Sequence, residues 1–85
     1  MKPITLALAL TALPLAAFAM PKVGDIVGTN PTEATAALEA AGCAVQEFEA
    51  EGGMIEAKCL DEAKARWEVY IDPKTGAVTK IKDED

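Results

Sequence analysis

The chain has 85 residues, room for one small domain, and 14 acidic against 8 basic residues give it a formal net charge of −6. This acidity argues against nucleic acid as a partner, because phosphate binding needs a basic patch. Histidine and serine are absent, which removes Ser-His nucleophilic catalysis and a histidine general base.

In the first segment Lys2 follows Met1, an apolar run extends from Ile4 to Leu15, and Ala17-Phe18-Ala19 places small residues at the last and third-last positions. This is the pattern of a secretory signal peptide, with cleavage expected after Ala19. The competing reading is a membrane anchor, but the run falls short of the roughly 20 apolar residues a spanning helix needs. The expected organisation is a signal peptide over 1–19 and a domain over 20–85, periplasmic or secreted. The membrane enters only through the uncleaved signal. Losing Lys2 takes the net charge of the mature chain to −7. That is compatible with a basic protein or peptide partner, with an acidic, soluble exterior as the plainer reading.

Met20–Thr29 reads as a lead-in whose Val23, Ile26 and Val27 lie against the edge of the core. Asn30-Pro31-Thr32-Glu33 then starts a helix. Asn30 caps, Pro31 fits the first helical position, and Glu33 completes a capping box. Ala34, Ala37, Leu38 and Ala41 form one apolar stripe at helical spacing, and Gly42 ends the helix. Cys43–Glu49 is the next strand. Val45 and Phe48 stand three apart, so a bulge near Gln46-Glu47 is needed to bring both to one face. Glu51-Gly52-Gly53 supplies a turn, and Met54–Leu60 pairs back with Ile55, Ala57 and Cys59 toward one side.

Asp61–Ala65 is a charged connection into Trp67–Ile71, where Trp67, Val69 and Ile71 alternate with Glu68, Tyr70 and Asp72. That is the period-2 signature of a half-buried strand. Asp72-Pro73-Lys74-Thr75-Gly76 forces a turn. Asp72 accepts from backbone N–H groups two residues on, Pro73 pre-sets φ, and Gly76 takes a left-handed conformation. Ala77–Ile81 closes the domain as a last short strand. The fold class is α+β, one helix packed on a small antiparallel sheet in the order α-β-β-β-β.

Two cysteines, both in the exported part, suggest one disulfide. A hairpin centred on Glu51 puts Cys43 opposite Cys59, a placement that permits a bridge, although a bulge shifts this register by one. Without histidine or a free thiol, the only chemically sensible metal is a hard cation on carboxylates, and no calcium-loop pattern is present. No metal and no cofactor is expected. Asp61/Glu62 and Glu47/Glu49 read as solvated surface rather than acid/base pairs. Trp67 reads as core. Tyr70, on the opposite face between Glu68 and Asp72, is a candidate contact anchor, with ordinary half-burial as the plainer reading.

Glu33-Ala34, Leu38-Glu39-Ala40-Ala41-Gly42, the Val45/Phe48 strand, Glu51-Gly52-Gly53 and above all Glu68–Gly76 resemble a PepSY domain, of the short, stand-alone exported kind. The resemblance spans nearly all of the mature chain and supplies no catalytic residues. It implies a non-enzymatic exported module that binds a protein or peptide and modulates it, a peptidase being the foremost candidate. The contact would run through a sheet face or edge, with Glu68 and Tyr70 the candidate contact residues. The alternative is an accessory domain of an exported metal-handling or redox system, binding a cation or a cofactor-bearing protein; a purely structural role is a third reading. The sequence departs from the family pattern twice. Cys43 stands where an aromatic residue is common, and Asp61–Ala65 lacks a usual glycine turn.

Overall fold

The computed structural model describes residues 20–84. The signal peptide read over 1–19 lies outside them. Helix α1 spans Pro31–Ala40 and is followed by strands β1 (Ala44–Glu51), β2 (Met54–Leu60), β3 (Arg66–Ile71) and β4 (Val78–Asp83). The strands form one antiparallel sheet in the order β1-β2-β3-β4. Among the described residues no helix is long and apolar enough to cross a membrane.

Local chemistry explains the helix. Asn30 Oδ1 accepts from the Glu33 N–H at 2.9 Å, and Pro31 occupies the first helical position. Glu33 reaches one residue further back than a standard capping box, accepting from the Thr29 N–H at 3.3 Å. Ala34 and Leu38 are buried and Ala37 and Ala41 half-buried, so the alanine-rich stripe seats the helix on the sheet. Gly42, at φ +91°, turns the chain into β1.

The bulge falls at Gln46, between the Val45–Cys59 and Glu47–Lys58 pairs, and it aligns Val45 and Phe48 on the helix side. Gly52 and Gly53, at φ +60° and +84°, form the two-residue hairpin turn that both positive angles require. The hairpin is thus centred between them rather than on Glu51. Cys59 pairs with Val45, so Cys43 is not opposite it. Cys43 lies just before β1, buried, with Cα atoms 5.3 Å apart across the Cys43–Cys59 disulfide.

Three inward rows cross the sheet, Val45–Cys59–Trp67, Phe48–Ala57–Val69–Ile81 and Ala50–Ile55–Ile71–Val78. The core combines Ala57, Cys59, Val69, Ile71 and Val78 with Val27, Ala34, Leu38 and Cys43. Trp67 packs against this core, as expected, but at its margin. It pairs with Cys59 and Asp83 near the end of the sheet, remains half-buried, and donates its indole N–H to Asp61 Oδ2 at 2.8 Å.

The lead-in also differs. Val27 is buried, but Val23 and Ile26 are 63% and 67% exposed. The segment runs extended along the start of β4, where Gly24 N–H donates to Val78 O, Val78 N–H to Asp25 O, and Val27 N–H to Gly76 O, each at 2.8 Å. Adjacent residues on an extended chain face opposite ways, so Ile26 and Val27 are not both inward.

Candidate binding surface

The helix covers one face of the sheet, and the side chains between the inward positions form the other. The register orders them into two rows, Glu47–Lys58–Glu68–Lys82 and Glu49–Glu56–Tyr70–Lys80. The first row alternates in charge and is held by ion pairs. Lys58 Nζ lies 3.7 Å from Glu47 and 3.5 Å from Glu49, and Lys82 Nζ lies 3.7 Å from Glu68. Partial burial works against the Lys58 charge, but Glu49 and Glu47, with Glu84 behind them, outweigh it and hold the ammonium above the ordinary lysine range.

The second row is unbalanced. Glu49 and Glu56 are direct cross-strand neighbours of like charge, and Glu51 and Glu68 lie on the diagonals. Glu56 is 2% exposed, the one buried charged side chain among the described residues. Burial raises its carboxyl to a pKa of about 7, and contacts with the Glu51 and Glu68 carboxyl groups push the same way. A proton at Glu56 relieves this repulsion.

Tyr70 closes the row. Its hydroxyl donates to Glu68 Oε1 at 3.2 Å, and Lys80 Nζ sits 4.9 Å over its ring. Burial, then the charges of Glu51 and Glu56 and the bond to Glu68, push the Tyr70 phenol up to about 12. The structure therefore brings Glu68 and Tyr70 into direct contact on the uncovered face. Both are half-buried, and the Glu68 side chain is only 13% exposed, so it does more than face water. Glu56 escaped sequence reasoning. Its signal was present: with Ile55, Ala57 and Cys59 inward, Glu56 must face outward, and the β2–β3 register sets it beside Tyr70.

The Asp72–Gly76 turn lies at one end of this surface. Asp72 Oδ1 accepts from Lys74 N–H at 2.8 Å, and Gly76 N–H donates to Asp72 O at 2.7 Å. Gly76 adopts φ +79°, and a Cβ there would meet the Gly28 carbonyl carbon at 2.8 Å. At the other end, Asp61 organises the β2–β3 connection. Its carboxylate accepts from the Ala63 and Ala65 N–H groups at 2.8 and 2.9 Å as well as from Trp67. The Trp67 bond first, then the Ala65 and Ala63 amides, hold the Asp61 carboxyl below the usual aspartate range despite partial burial.

A family model described as "Peptidase propeptide and YPEB domain" matches residues 3–82. The chain belongs to this PepSY family. No curated protein and no solved structure matches it. Membership marks the chain as a peptidase-propeptide-like module. Within this PepSY domain, Cys43–Cys59 ties the chain just after the helix to the far end of the inner strand β2. Among the described residues no group of three or more His, Cys, Asp or Glu side chains is placed to hold a metal ion.

Proposed function

We propose that this chain is an exported, non-enzymatic binding module that docks on a protein partner, a peptidase being the foremost candidate, and modulates it. Export rests on the signal-peptide pattern over 1–19, with the domain over 20–85, and places the protein in the periplasm or outside the cell. Family membership supports the peptidase connection. The observation that carries the reading is the uncovered sheet face, where Tyr70 is held by Glu68 and Lys80 within a field of glutamates. A fixed aromatic side chain loses little conformational freedom on binding and offers a large contact area. The surrounding carboxylates favour a partner surface that carries positive charge.

Capture from a native exported fraction, with wild-type protein and Tyr70→Ala in parallel, tests the proposal. A partner retained by the wild type and released by the folded variant supports it. A partner held equally by both moves the contact off this face.

A further inference from the structure

A second surface lies at the free edge of the sheet. Among the described residues, strand β1 has β2 on one side and no strand on the other. Gln46 and its bulge blunt the first part of that edge, where Gln46 Nε2 donates to the Ala44 carbonyl at 3.1 Å. The stretch Glu47–Glu51 continues in regular register. Beside it, on the helix side, an open groove of about 210 Å³ runs between Pro31 and Ala34 of α1 and Phe48, Ala50, Ile55 and Ile71 of the sheet. A cavity of ~150 Å³ accepts a benzene ring, so this groove has room for one large apolar side chain.

We propose that the Glu47–Glu51 edge and this groove together bind an extended peptide segment in which basic and apolar residues alternate. The cross-strand rows dictate that pattern. A strand added beside β1 extends each row by one place. On the outer face the rows reach the edge at Glu47 and Glu49. Glu47 heads a sequence that alternates negative, positive, negative, positive, so the next place calls for a cation. Glu49 already faces a like charge in Glu56, and a cation beside it answers that imbalance. On the inner face the rows reach the edge at Phe48 and Ala50, and the next place opens into the apolar groove. Basic residues outward and apolar residues inward are what one extended segment supplies through its period of two. The inference rests on the binding-module reading for its biological sense, but it uses the β1 edge, two strands away from Tyr70, and the helix-side groove.

The test uses the disulfide-bonded domain and the capped synthetic peptide Lys-Leu-Lys-Phe-Lys-Leu, with binding followed by calorimetry. The comparison peptide is Lys-Lys-Lys-Leu-Phe-Leu, equal in composition and charge but without alternation. Ala50→Trp fills the groove from an exposed position, and Glu49→Lys reverses the charge at the edge. Circular dichroism checks that each variant is folded. The alternating peptide should bind, with affinity about tenfold lower for the block peptide and for each folded variant, and unchanged for Tyr70→Ala. Equal affinity for the two peptides would reduce the effect to general charge attraction and overturn the proposal. Loss with Tyr70→Ala and retention with Ala50→Trp would place the peptide on the sheet face and overturn it too. So would absence of binding to the folded wild type, or a self-association of the chain that Ala50→Trp abolishes, which would make a second copy the occupant.

Discussion

Glu56 has Glu49 directly across the strand pair and Glu51 and Glu68 on its diagonals, while the ammonium of Lys58 is engaged with Glu47 and Glu49. Burial first, and then the Glu51 and Glu68 carboxyl groups, raise its carboxyl from the usual 4.5 to about 7. The folded chain therefore holds this proton more tightly than the unfolded chain. The resulting stabilisation is complete below about pH 4.5 and is lost as pH rises through about 7. Asp61 acts in the opposite sense. Its lowered carboxyl contributes above the usual 3.8, and that contribution is lost as pH falls. The urea midpoint should thus be higher near about pH 5.5 than near about pH 8, and Glu56→Gln should flatten that difference. A midpoint that climbs over the same interval would contradict the assignment.

Gly76 and Asp72 make a second residue-scale case. Gly76 combines a left-handed backbone with close contact to Gly28. Gly76→Val should cost more than about 2 kcal/mol. Asp72→Ala, which removes the acceptor of the Lys74 N–H, should cost about 1 kcal/mol. Glu68→Ala should cost least, because the lost contacts with Tyr70 and Lys82 are offset by relief at Glu56. Urea midpoints of the three variants give the ranking, and equal shifts would show that the turn is not a special conformation.

At the scale of elements, the helix and all four strands were legible because their signals are local. Asn30-Pro31, the alanine stripe and Gly42 delimit α1, and period-2 alternation delimits β2 and β3. The three-residue spacing of Val45 and Phe48 located the bulge to within a residue. Hairpin centring was less legible, since Glu51 extends β1 once both Gly52 and Gly53 take positive φ. The lead-in and the β2–β3 connection were the least legible, because tertiary hydrogen bonds shape them. The lead-in is fixed by the backbone of β4, and the connection by the carboxylate of Asp61. Within that connection Lys64 takes φ +69°, a left-handed conformation that favours glycine. Lys64→Gly should raise stability by up to about 1 kcal/mol, the left-handed penalty less the entropy of glycine, and Lys64→Val should lower it. Thermal unfolding of both variants checks this. Destabilisation by Lys64→Gly would show that the lysine contributes more than its backbone costs.

For the whole molecule, a core of nine buried residues among those described, two of them from the helix, is small, and the disulfide is its staple. The bridge joins residues 16 apart, and reduction should cost roughly 2–4 kcal/mol. Thiol labelling of the unfolded, unreduced protein should find no free thiol, whereas two free thiols would remove the staple from the account. The binding surface was only half legible in the sequence. Glu68 and Tyr70 were visible as an aromatic and a carboxylate on a polar strand face. The outward direction of Glu56 was readable from the alternation of β2, but its burial was not, because that depends on which strands flank β2.

The central claim is that the uncovered face of the sheet, anchored on Tyr70, binds a protein partner. Calorimetry of the partner recovered from the exported fraction, against wild type and folded Tyr70→Ala at low and high salt, tests it most directly. The account predicts an affinity that falls as salt rises, through screening of the glutamate field, and that falls about tenfold or more with Tyr70→Ala. An affinity indifferent to both salt and Tyr70→Ala would contradict it.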